Sequence, residues 1–171
     1  MIIKENMKPS KDFNALDKAI RIYVRNISKS SRFEFDSEKI SYLSFFENKL
    51  LLVHAIRYGL PYQLFIKIKE LTPFSEDDWV EYLSISKKTL QRYSSDENHL
   101  FKSIHTEKII EIAEVTILGN EVFDSTEQFY LWLITPSHAL GNLKPLELLK
   151  DSYGKEMVMA ELNRIEHVIF A

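Results

Sequence analysis

Five histidines, one run of three carboxylates and one cationic helix start are the residues whose types could do chemistry. His54, His99, His105, His138 and His167 share no spacing suited to a common metal ion, and no His-Glu-x-x-His is present. Cysteine is absent, which excludes disulfides and thiolate metal sites and fits a reducing cytoplasm. Four glycines in 171 residues leave no Gly-rich cradle for phosphate, and there is no nucleophile elbow. Glu76-Asp77-Asp78 could bind a cation, but three acids after Ser75 are also what the positive end of a helix attracts. Glu161 and Glu166 read as a solvated helix face. Trp132 with Phe129 and Tyr130 reads as core rather than as a ligand cage. This inventory predicts a chain without catalytic residues, metal, cofactor or small-molecule substrate.

The cationic start is Ser86-Lys87-Lys88-Thr89-Leu90-Gln91-Arg92. Ahead of it, Ser75 and Asp78 form a capping pair for a helix whose Trp79, Val80 and Leu83 face inward. Ser84-Ile85 makes a tight turn and Ser86 caps the next helix, with Ile85 and Leu90 plugging the angle between the two. That is a helix-turn-helix pattern. Its second helix offers Ser86, Lys87, Lys88, Thr89, Gln91 and Arg92 where a recognition helix meets the major groove. Ser86, Lys87 and Lys88 suit phosphate, while Gln91 and Arg92 suit base edges. A helical hairpin that binds no DNA has the same pattern.

The surrounding elements also read as helices. Asp12–Arg25 is amphipathic, Ser28–Ser31 breaks it, and Phe33-Glu34-Phe35 alternates like a short strand or extended arm. Ser44–Tyr58 reads as one helix burying Phe45, Phe46, Leu50, Ile56 and either Val53 or His54, with Gly59 as its cap. Pro61 opens another and Pro73 closes it. Asp96–His105 is a loop with a short helix near Leu100. Thr106 starts a long buried helix that Gly119-Asn120 ends or bends. Further on, Ser125 and Gln128 start a helix that Pro136 stops. Gly141 supplies a positive-φ turn and Pro145 a first helical turn. After Gly154, Val158, Leu162, Ile165 and Ile169 fall at spacings of four, three and four.

Bulk properties agree with a globular chain: 45% hydrophobic and 27% charged residues, with no run of about 18 apolar residues to cross a membrane. The start, Met-Ile-Ile-Lys-Glu-Asn, lacks the apolar core of a secretion signal. Charge is uneven, +5 over residues 1–32, −2 over 33–106 and −6 over 107–171. Different partners at the two ends, or merely segregated solvated faces, both account for this.

The order Trp132-Leu133, Pro136, Leu140-Gly141, Pro145-Leu146, Leu149, Gly154, Leu162 and Ile165 resembles the toxin-binding domain of the Xre/MbcA/ParS antitoxins. Leu83-Ser84-Ile85-Ser86-Lys87-Lys88-Thr89-Leu90-Gln91-Arg92 resembles the same family's helix-turn-helix. Ser84 replaces the usual turn glycine, Tyr93 the second of a common arginine pair, and Val168 a glycine near the family's end. The resemblance implies an all-α antitoxin with an N-terminal extension (1–44), a DNA-binding domain (45–123) and a small toxin-binding domain (124–171). Its partners would be a RES-domain toxin that consumes NAD and operator DNA, bound as a homodimer in the cytoplasm. Toxin contacts are expected at Trp132, Leu140, Gly141, Pro145, Arg164, Ile165, His167, Val168, Ile169, Phe170 and Ala171. The apolar last turn and its carboxylate would enter the NAD cleft, or Phe170 would pack on the module's own core. The rival is a helix-turn-helix regulator whose C-terminal domain only dimerises.

Overall fold

A computed structural model describes residues 11–169, and among these the chain is all-α, with ten α-helices, one 3-10 turn and no strand. Residues 1–10 and Phe170-Ala171, the last two expected among the toxin contacts, lie outside the described residues.

α1 (Lys11–Ser30) buries Leu16, Ile20, Tyr23, Val24 and Ile27 along one stripe. It runs past Ser28, where a break was expected, because Ile27 continues the stripe into the core. The segment after it forms no strand; Phe33 and Phe35 instead set their rings against His54, at centroid distances of 4.8 and 5.6 Å.

The helix expected over 44–58 is two helices, α2 (Tyr42–Glu47) and α3 (Lys49–Tyr58). Asn48 separates them in extended conformation, and its side chain accepts a hydrogen bond from the Leu51 amide. This break re-phases the second half. Leu51, Leu52 and Ala55 turn inward, while Leu50, expected inside, is exposed; of the two alternatives one turn on, Val53 is exposed and His54 half-buried. Gly59 caps α3 at φ 93°, where a Cβ would also stand 2.6 Å from the Phe101 carbonyl oxygen.

α4 (Tyr62–Lys69) follows Pro61 and ends ahead of Pro73. Next come α5 (Glu76–Tyr82) and α6 (Lys87–Ser94). No helix forms near Leu100. The loop there pairs with the α3–α4 corner instead, Tyr62 donating to His99 and Phe101 to Leu60 through their backbones. α7 (Ser103–Val122) begins three residues before Thr106. Thr106 is no cap: its buried hydroxyl accepts from the Leu60 amide and donates to the Phe101 carbonyl. α7 is apolar around its circumference, with Ile109, Ile110, Ile112, Ala113 and Val115 all buried, and it runs through Gly119 and Asn120.

α8 (Thr126–Ile134), the 3-10 turn His138–Leu140, α9 (Pro145–Leu148) and α10 (Ser152–Ile169) complete the chain. α10 lies beside α7 and runs in the same direction, since Ser152 meets Glu111 and Lys155 meets Glu114. Both carboxylate oxygens of Glu114 are used, one by Lys49 of α3 and one by Lys155 of α10, each at 2.7 Å. Burial alone would raise this carboxyl; the bonds from Lys155 and Lys49 outweigh it and hold it below the ordinary value of 4.5. Its contribution is therefore complete above that value and disappears as falling pH protonates Glu114. Glu114→Gln is expected to cost about 2 kcal/mol at neutral pH, because Lys155 is left largely buried without its partner. Urea melts at pH 7 and pH 3 should show this difference shrinking in acid; an equal difference at both pH values would contradict it.

Candidate DNA-reading and partner-docking surfaces

The α5–α6 unit is built by local rules. Ser75 accepts from the Asp78 amide at 3.1 Å, and Asp78 accepts from the Ser75 amide at 2.8 Å. This closes the predicted capping box. Trp79 and Leu83 are buried as expected. At the turn, Ser84 donates to Glu81 and Ile85 to Val80 through their backbones, with Ser84 at φ 52°. That pair of bonds is a Schellman ending, which normally holds glycine at the left-handed residue. Serine there costs about 1 kcal/mol, offset by the buried Leu83 and Leu90 on either side.

Ser86 caps α6, accepting from the Thr89 amide at 3.0 Å, and its hydroxyl also bonds the Thr89 hydroxyl at 2.9 Å. Those two side chains thus satisfy one another. Lys87, Lys88, Gln91 and Arg92 share one exposed face. Lys87 is ion-paired with Asp77 across the turn, and that bond raises its pKa. Lys88, Gln91 and Arg92 form the part of the face that projects from α6 without such a tie to α5. Tyr93, where the resemblance has arginine, turns inward. Its ring stacks on His99 at 3.6 Å and 16° and meets the edge of Phe101. Burial holds the His99 imidazole below its ordinary value, so the stack rests on a neutral ring at pH 7. The recognition-like helix is therefore buttressed from beneath rather than extended as a basic surface.

In the C-terminal module, Ser125 accepts from the Gln128 amide at 3.2 Å and starts α8. Phe129 and Leu133 are fully buried, and Trp132 is half-buried, stacked on Phe129 and tilted against Phe123. These rings are core. Gly119 makes room for them, since a Cβ on it would stand 2.2 Å from the Phe129 ring. Thr135 is extended before Pro136, and a single bridge joins Ser137 to Leu143. Gly141 and Asn142 both take positive φ, 70° and 62°, and only the first was expected. Pro145 occupies the start of α9. Gly154 does not precede α10 but lies inside its first turn, pressed against Leu148.

The expected contact residues separate by burial. Leu140 and Pro145 are buried and shape the module from within, while Trp132 and Ile165 are half-buried. Gly141, Arg164, His167 and Val168 are exposed. Ile169 ends α10, and Phe170 and Ala171 lie outside the described residues. Glu161 is not the solvated residue expected. It is buried, and Arg164 binds it through two bonds of 2.8 and 2.6 Å, which hold its carboxyl below the ordinary range. Reading the sequence missed an outward apolar face on α8. Tyr130, Leu131 and Ile134 are exposed there, Leu131 to 62%, with Leu143 exposed beyond the turn. Its signal was present: Phe-Tyr-Leu-Trp-Leu-Ile is apolar on every side of a helix, more than one core contact uses.

The two surfaces are joined through α5 and α9. The Tyr82 hydroxyl donates to the Leu146 carbonyl at 3.2 Å, and Glu81 pairs with Lys150 at 2.7 Å. A pocket of about 370 Å³ opens elsewhere, lined by Phe13, Tyr42, Leu71, Thr116 and Asp124 among others, and none of the expected contact residues lines it. Among the described residues no three His, Asp or Glu side chains are grouped to hold a metal, and no helix is long and apolar enough to cross a membrane.

Residues 118–167 match the family model of the antitoxin Xre/MbcA/ParS C-terminal toxin-binding domain. The match begins inside the last turns of α7 and ends near the end of α10. Comparison with curated proteins finds no match to the chain.

Proposed function

We propose that this chain, whose residues 118–167 match the family model of an antitoxin's toxin-binding domain, neutralises a RES-type, NAD-consuming toxin and represses its own operon. In this reading it acts by covering surfaces and carries out no reaction. The family match carries the toxin half. The exposed α8 face, Tyr130, Leu131 and Ile134 with Leu143 near Gly141, supports it as an apolar docking patch in an acidic module. The segment from Val168 onward is assigned to the toxin's NAD cleft, where apolar side chains would fill space the cofactor needs.

For the DNA half, α6 enters the major groove with Gln91 and Arg92 toward base edges. Ser86 and Lys88 contact phosphate, and Lys87 does so only by leaving Asp77. One short helix makes few contacts, so a symmetric dimer on a palindrome is required. One experiment separates the halves, using the neighbouring toxin gene and the upstream DNA. Arg92→Ala should weaken operator binding by about 1–3 kcal/mol and still protect cells. Leu131→Asp should do the reverse, binding DNA but losing the toxin on co-purification. If wild type ignores the toxin yet binds DNA, the chain is a regulator whose C-terminal module only dimerises. If both variants fold and lose both activities, the division of labour is wrong.

A further inference from the structure

α10 buries one side and leaves the other open. Gly154, Val158 and Leu162 face the core, whereas Tyr153, Met157, Ala160, Arg164 and His167 are exposed. These five follow one another at spacings of four, three, four and three, the repeat that keeps one stripe of a helix against a second helix. Tyr153 is 83% exposed and Met157 45% exposed, one turn apart on this stripe, so they form a contiguous apolar surface rather than scattered single residues.

We propose that this stripe packs antiparallel against the same stripe of a second copy of the chain, about a two-fold axis at Ala160. Three features carry the assignment, and none depends on the antitoxin reading. Ala160 lies within a residue of the midpoint of α10 (Ser152–Ile169), so an axis there overlaps the two helices along nearly all of their length of about 27 Å. The residue at the crossing is the smallest of the stripe, which lets the backbones approach. Charge then decides the direction. Under this axis Glu156 faces Arg164 of the partner subunit, and Arg164 faces Glu156 of the partner subunit. A parallel pairing would set like on like at both positions. Arg164 holds Glu161 through Nε and Nη2, so its Nη1 edge is left for the second carboxylate. Tyr153 faces His167 of the partner subunit, and Met157 faces Asn163 of the partner subunit. The contact thus uses Arg164 and His167 for self-association and leaves the α8 face to other partners.

Sedimentation of the full-length chain at micromolar concentration tests this directly. Wild type should be a dimer. Glu156→Arg sets arginines against one another at both ends of the seam, and Arg164→Glu sets glutamates against one another; each should dissociate by about tenfold or more. An equimolar mixture of the two variants should restore the dimer, because each unlike pair again carries opposite charges. Circular dichroism confirms that both variants are folded. Ala160→Glu, on the exposed face, is the second probe should Arg164→Glu unfold the helix, and it should also give monomer. A monomeric wild type, or variants that stay dimeric, overturns the proposal, as does a mixture that stays monomeric. Shielding of Met157 from peroxide only in a complex with the toxin overturns it too, and would give this face to that protein.

Discussion

Gly154→Ala is expected to destabilise the protein by about 3 kcal/mol and to abolish the toxin docking proposed for the C-terminal module. An added Cβ would stand 1.9 Å from the Leu148 carbonyl oxygen, 2.7 Å from its carbon and 3.0 Å from the Leu148 Cα. All three are backbone atoms, so no side chain can swing aside. Relief requires α9 to move off α10. That would withdraw Leu149, which is fully buried, and strip the Asp151 carboxylate from the Gly154 amide it accepts at 2.7 Å. Because Pro145 and Leu140 are buried in the same corner, the turn carrying Gly141 would shift as well. Urea denaturation measures the cost, and co-purification measures the docking. An alanine variant as stable as wild type would mean that α9 and α10 do not touch as described.

Trp79→Ala should be costlier still, about 3–5 kcal/mol, against a total of about 5–15 kcal/mol for a domain. Trp79 is fully buried among Phe65, Phe74 and Tyr82, its centroid 5.1 Å from that of Phe65, and its indole N–H points at the Thr72 hydroxyl. Removing it opens a cavity between α4 and α5, the helix that carries α6. Tyr82 packs on the same ring and donates to Leu146, so the loss reaches α9 too. Thermal melting followed by circular dichroism should show a large drop, and the operator binding proposed for α6 should be lost at 37 °C. If melting is lowered by only a degree or two, Trp79 is not the keystone of α4 and α5.

What could be read beforehand was local. The Ser75 box, the Gly59 and Gly141 turns, Pro145 at a helix start and the stop at Pro136 depend on residues a few positions apart, and each was legible. Asn48 was not, because an asparagine between Phe-Phe-Glu and Lys-Leu-Leu fits a continuous helix until tertiary packing selects the break. Thr106 looked like a cap and proved to be a buried hydroxyl serving Leu60 and Phe101, residues that only the fold brings near. Glu161 looked solvated because its periodicity is that of a polar face; the pairing with Arg164 that lets it be buried carries no sequence signal beyond a common i,i+3 spacing. The outward faces of α8 and α10 were hardest of all. An apolar residue in a pattern announces burial, and only coordinates tell which burial happens within the chain and which is left for something else.

α7 belongs to both halves of the molecule. Its early turns hold Thr106 beneath the α3–α4 corner, and its last turns hold the Gly119 groove into which Phe129 fits. A hybrid gene spliced at residue 124, to exchange the C-terminal module for another chain's, would pair a foreign aromatic with a groove that was not shaped for it. Recombination that keeps both parents' packing must cross over upstream of Ser103, so whatever the C-terminal module recognises is inherited together with the helix beneath it.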